Sequence, residues 1–167
     1  MKAIELIRWA LQLSDEGLRR LVEDMREAPL TQPTSHGGNH PIWVLGHLAL
    51  LEGALPSILM GEEGGPNPVE HWRPLFGTGT EAKADAALYP SFDEVLTACR
   101  DLRARNLALL ERIGESGLDK APRAVPPGFE EVMKTVGQTF LLMSLHEMVH
   151  YGQIADARRV AGRRPLV

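Results

Sequence analysis

Apolar residues recur at spacings of three and four along four stretches of the chain, the period of one buried helix face. The first stripe is Ile4, Ile7, Leu11, Leu18, Leu21, Val22 and Met25, and Pro29 lies just beyond it. It predicts a helix over 3–27. The second, predicted over 40–60, carries Val44, His47, Leu51, Leu55 and Ile58. Asn39 is its expected N-cap, Pro41 is tolerated in the first turn, and Pro56 is expected to kink or end it early. The third, over 92–114, opens on Ser91 and Glu94, spaced as a capping box, and carries Val95, Cys99, Leu102, Leu109 and Ile113. The fourth, over 132–161, begins at the capping-box spacing Thr135–Gln138 or a few residues earlier near Glu130. It carries Val136, Phe140, Met143, His146, His150, Ile154 and Ala157, and ends at Gly162.

No stretch alternates apolar and polar residues as a half-buried strand does. Most of the 16 glycines and 12 prolines crowd into 29–41, 61–79 and 114–128, between the periodic segments. The pattern predicts an all-α protein, a four-helix bundle formed by one domain over 1–167. The connection over 61–90 is far longer than antiparallel neighbours need. It can cross the bundle and leave the second and third long helices parallel. Within it, His71-Trp72-Arg73-Pro74-Leu75-Phe76 is rich in contact-forming side chains, fit to cover the bundle, line a pocket or meet another subunit.

Composition narrows the function classes. With 44% hydrophobic and 24% charged residues, the chain has the balance of an ordinary globular protein. The formal net charge of −4 gives no overall positive field, so nucleic acid is not an expected partner. A lone cysteine, Cys99, on a core stripe reads as a small hydrophobe and suits a reducing compartment. Glu5, Arg8, Asp15, Glu16, Arg19 and Arg20 interrupt the first segment, leaving neither a secretory apolar run nor a membrane span there. The expectation is a cytoplasmic protein without a membrane partner.

The candidate chemistry lies in the histidines. His146 and His150 are four apart on an inward stripe, one turn above each other, and His47 occupies the inward stripe of the second segment. Neutral imidazoles on facing helices are the way bundle cores hold transition metals. The plainer reading is hydrogen-bonded core histidines, but two buried imidazoles one turn apart would need partners for four ring nitrogens amid apolar neighbours. Three histidine ligands would leave a coordination position open, the mark of a catalytic site; zinc and nickel are the leading ions. His146-Glu147-Met148-Val149-His150 also spells H-E-x-x-H, in which Glu147 would be the base of a zinc protease. Against that reading, Gln153 stands where the extended motif has glycine, Asp156 lies off the required helix face, and no strand is predicted to hold a peptide. Glu147 is otherwise a candidate base beside the ion or a plain flanking carboxylate. Around the site, Trp43 is a candidate wall, Gln153 a candidate partner of the His150 imidazole, and His40 either a pocket residue or a surface histidine of the first turn. Arg158, Arg159, Arg163 and Arg164 give the last helix a basic end suited to its dipole.

Two segments carry a family resemblance. Asn39-His40-Pro41-Ile42-Trp43-Val44-Leu45-Gly46-His47-Leu48-Ala49 matches a W-x-x-G-H-L helix, and His146-Glu147-Met148-Val149-His150-Tyr151-Gly152-Gln153-Ile154 matches an H-x-x-x-H-x-G-Q-I helix. In this order, with the long second join, they resemble the DinB/YfiT-like superfamily over nearly the whole chain. The resemblance implies a bundle holding a divalent ion on His47, His146 and His150. It also implies a homodimer, and an activity that is either metal-dependent hydrolysis or transfer using a low-molecular-weight thiol on a small-molecule substrate. The alternative is a non-catalytic metal- or small-ligand-binding protein of the stress response.

Overall fold

A computed structural model describes residues 1–33 and 38–166. Among these residues there is no strand. Four long helices, α1 (Ala3–Glu23), α2 (Pro41–Met60), α4 (Phe92–Ile113) and α5 (Val136–Val160), build the bundle, and one short turn of helix, α3 (Arg73–Phe76), lies in the crossover. The predicted spans hold within a few residues. Thr135 caps α5 with its side chain accepting from the Gln138 N–H, while Gln138 accepts from the Thr135 N–H. The helix therefore starts there and not near Glu130.

Side-chain pairs fix the helix directions. Leu45 meets Cys99, and Glu52 meets Arg103 and Asn106, so α2 and α4 run parallel. Ala10 meets Ser144 and Asp24 meets Arg158, so α1 and α5 are parallel too. Arg8–Glu111 with Glu23–Arg100 sets α1 against α4, and His47–His146 with Asn39–Gln153 sets α2 against α5. The order is up, down, down, up, which the 61–90 crossover makes possible.

That crossover is packed down, with Val69, Trp72 and Phe76 buried against α2. Covered on its outer side as well, α2 is apolar nearly all round. Pro41–Gly64 is apolar enough by composition to cross a membrane, yet 78% of its most apolar 18-residue window is buried inside the bundle. Of the two outcomes expected at Pro56, an early end is not what the structure shows: α2 runs on to Met60. A proline lacks the N–H that would bind the Glu52 carbonyl, and the Asn106 side-chain amide donates to that carbonyl instead, at 2.9 Å.

The core falls into two apolar clusters. One gathers Leu18, Val22, Trp43, Leu48, Phe76, Val95 and Ile154; the other gathers Ile7, Leu11, Leu55, Leu110, Phe140 and Met143. Between them runs a buried polar layer of Ser14, Glu52, Arg103, Asn106 and Glu147. Arg103 donates to Glu52 at 2.7 Å, to Glu147 at 2.9 Å and to the Leu11 carbonyl at 2.6 Å. One guanidinium thus bonds all three other helices. Breaking such a buried pair costs far more than forming it gains.

Candidate metal centre

His47 enters the site from the second turn of α2, and His146 and His150 from the middle of α5. The structure brings their rings together. The His146 Nε2 lies 3.3 Å from the His47 Nε2 and 3.0 Å from the His150 Nε2, and a ligand atom from each of the three lies within 4.8 Å of the others. Three nitrogens bound to one tetrahedral ion at about 2.0–2.1 Å stand roughly 3.3 Å apart, so the donor set fits a divalent ion.

The tautomers fit as well. His47 donates from Nδ1 to the Phe76 carbonyl at 2.9 Å, and His150 donates from Nδ1 to the Gln153 Oε1 at 2.8 Å. Each therefore presents a bare Nε2 lone pair to the centre. Burial, with His47 adding repulsion, lowers the basicity of His146; burial likewise lowers His47 and holds His150 down to about 4. All three rings are neutral at pH 7, the form that binds metal.

The surroundings explain the sequence around His47. The Trp43 ring stacks on His47, centroids 4.8 Å apart, and its Nε1 donates to the Thr80 hydroxyl. Phe76 lies so close over Gly46 that a Cβ there would sit 2.4 Å from its ring. Only glycine lets the crossover approach and place the Phe76 carbonyl on His47. Gln153 also accepts from Asn39 at 3.4 Å, tying α5 back to the start of α2.

Two candidates lie elsewhere. His40 is fully buried, not on the surface, and it rather than Asn39 is the N-cap of α2. Its Nδ1 accepts from the Trp43 N–H and its Nε2 donates to the Lys83 carbonyl. Both nitrogens are committed to backbone, so it is not a pocket residue. Glu147 turns away from the histidines into the polar layer, bonded to Arg103 and Ser14. It is not a base beside the ion. Asp156 is exposed and paired with Arg159. The His146–His150 pair of the zinc-protease motif is in place, but its glutamate is turned away and no strand lies among the described residues to hold a peptide. Cys99 donates to the Leu45 carbonyl, and burial raises its pKa, leaving an inert thiol. His71 is exposed and edge-on to Trp72, and His36 lies outside the described residues.

A pocket of about 360 Å3 opens against His47 and His146. Its walls come from α2, from α5 and from the join before α5, where Pro126, Phe129 and Met133 contribute. Neither that join nor the Phe76 carbonyl is visible to helical periodicity. The only sequence signal is the density of aromatic and proline residues in the connections.

A family model described as the DinB superfamily matches residues 10–154. Among solved structures, the chain is similar to YfiT from Bacillus subtilis, with a TM-score of 0.63 and 20% identity, covering 96% of this chain and 89% of that one. YfiT is described as "a probable metal-dependent hydrolase with an unusual four-helix bundle topology". No protein of curated function matches. With the family model spanning most of the chain and the same bundle fold underneath, this protein belongs to the DinB superfamily.

Proposed function

We propose that the protein is a metal-dependent enzyme acting on a small molecule, a hydrolase or a thiol-dependent transferase, with His47, His146 and His150 holding zinc or nickel. The observation that carries this reading is that His47 and His146 of the triad open onto a pocket wide enough for a small ligand. A bound divalent ion would supply Lewis acidity and bring the pKa of a coordinated water or thiol toward neutrality. The chain's own part is to hold three neutral imidazoles in place through Phe76, Gln153 and Trp43, and to keep the pocket apolar. Among the described residues no carboxylate lines that pocket. The hydrolytic branch suits the site better, because the one charged group in the lining, Arg73, is already paired with Glu70 and little remains to recognise a polar thiol. The test is turnover of the zinc-loaded protein on ester and amide panels, with and without low-molecular-weight thiols. Hydrolysis without thiol supports the first branch, and strictly thiol-dependent turnover the second. No turnover on either panel, with the ion closed to added azide, would leave a binding protein.

We also infer a homodimer through α1 and α5. Leu6, Trp9 and Leu13 on α1, with Leu141, Leu145, Met148 and Val149 on α5, are exposed, at spacings that put each set on one outward helix face. The two helices lie side by side in register. Half-exposed side chains of this size present on the order of 600 Å2 of apolar surface, close to the ~800 Å2 that each partner of a standard interface buries. A second copy turned about a two-fold axis would cover the face with its own equivalent.

A further inference from the structure

The pocket beside the triad is polar at one end and apolar along its length. His47 begins a row on α2 that continues through Leu50, Leu51, Ala54 and Ile58, all lining the pocket. Eleven residues of helix separate its ends by roughly 16 Å. On the facing side Leu142 and Met143 precede His146, and Phe129 and Met133 close the outer wall. The far end is fixed where the backbone N–H groups of Arg123 and Ala124 donate to the Ile58 carbonyl. Leu51, Ala54, Ile58 and Leu142 are only half-buried, and Phe129 is 46% exposed, so the fold leaves this apolar wall uncovered. Polar lining stays with the crossover, where Gly77 and Thr78 follow the residue bonded to His47 and the Arg73 guanidinium is bound by Glu70.

We propose that the substrate is an amphiphile whose uncharged hydrocarbon body lies along the α2 row and whose oxygen- or sulfur-bearing head reaches the three histidines. The inference rests on the metal-dependent reading and names the substrate class for it. A sugar, nucleotide or peptide in this pocket would bury hydroxyls or amides against aliphatic walls without partners, which is costly. A hydrocarbon body gains from every methylene it buries there. With no carboxylate in the described lining, nothing repels an electron-rich head from a bound cation.

The test is calorimetric titration of the zinc-loaded full-length protein with straight-chain alkyl hydroxamates from butyl to decyl. Affinity should rise about fourfold per added methylene until the pocket is full, and then level off. Ala54→Phe, which blocks the row away from the histidines, should weaken the octyl probe at least tenfold while leaving the butyl probe and the zinc content unchanged. Equal affinity across the series in zinc-loaded wild-type protein overturns the amphiphile even if Ala54→Phe does not fold. Failure of the metal reading looks different. There the wild-type protein retains no zinc, whatever the effect of chain length.

Discussion

His146 and Glu147 are neighbours in sequence and point into different chemistry, because successive residues on an α-helix are about 100° apart. One faces the triad, the other the Arg103 layer. Burial holds the Glu147 carboxyl up at about 7 against the attraction of Arg103, so between pH 4.5 and about 7 the folded chain keeps a proton that the unfolded chain has released. Its contribution to stability therefore falls as pH rises through that window. The histidines act in the opposite sense. Held below their ordinary 6.5 by burial, they stay neutral while the unfolded chain takes up protons, so their contribution is lost as pH falls from 6.5 toward 4. In metal-free protein the two slopes oppose. Glu147→Gln should leave the histidine slope alone, so its urea midpoint should climb more steeply from pH 5 to 6.5 than that of the wild type. Parallel profiles would show that Glu147 does not titrate there. Gly46 offers a second residue-scale test. Gly46→Ala forces Phe76 off α2 and should cost about 1–3 kcal/mol of stability. It should also weaken zinc binding 10- to 100-fold through the lost carbonyl on His47, as read by competition with a chelating dye. Unchanged zinc affinity would detach Phe76 from the site.

At the scale of elements, α2 carries the most constraint, since it is buried on nearly every side and runs through Pro56. The Asn106 amide answers the Glu52 carbonyl that Pro56 leaves free, and also donates to the Glu52 carboxylate at 2.6 Å. Asn106→Leu strands both acceptors and should destabilise the protein by roughly 1–3 kcal/mol in chemical denaturation. An unchanged midpoint would mean that water serves them equally well. This pairing also marks the limit of what the sequence makes legible. The four long helices stand out because caps and periodicity are local, as at Ser91 and Thr135. The facing of His146 and His150 is local as well, one turn apart on one stripe. Pro56 misleads because its compensation comes from a different helix. His40 misleads because the groups that bury it, Lys83 and Tyr89, lie in an aperiodic join. The pocket wall around Phe129 is hidden for the same reason.

At the scale of the whole molecule, parallel pairing of α1 with α5 and of α2 with α4 has two consequences. It brings His47 of α2 against His146 and His150 of α5, and it leaves the outer faces of α1 and α5 side by side. If those faces join two copies, sedimentation at micromolar concentration should give a dimer for the wild type and a folded monomer for Trp9→Glu/Leu145→Glu. A monomeric wild type would contradict that interface. The most direct measurement is the zinc content and zinc affinity of purified wild-type protein beside His47→Ala, His146→Ala and His150→Ala, each checked for folding by circular dichroism. One ion per chain in the wild type, with affinity falling by orders of magnitude in every folded variant, is the expected result. Equal zinc content in wild type and variants would contradict a three-histidine metal centre.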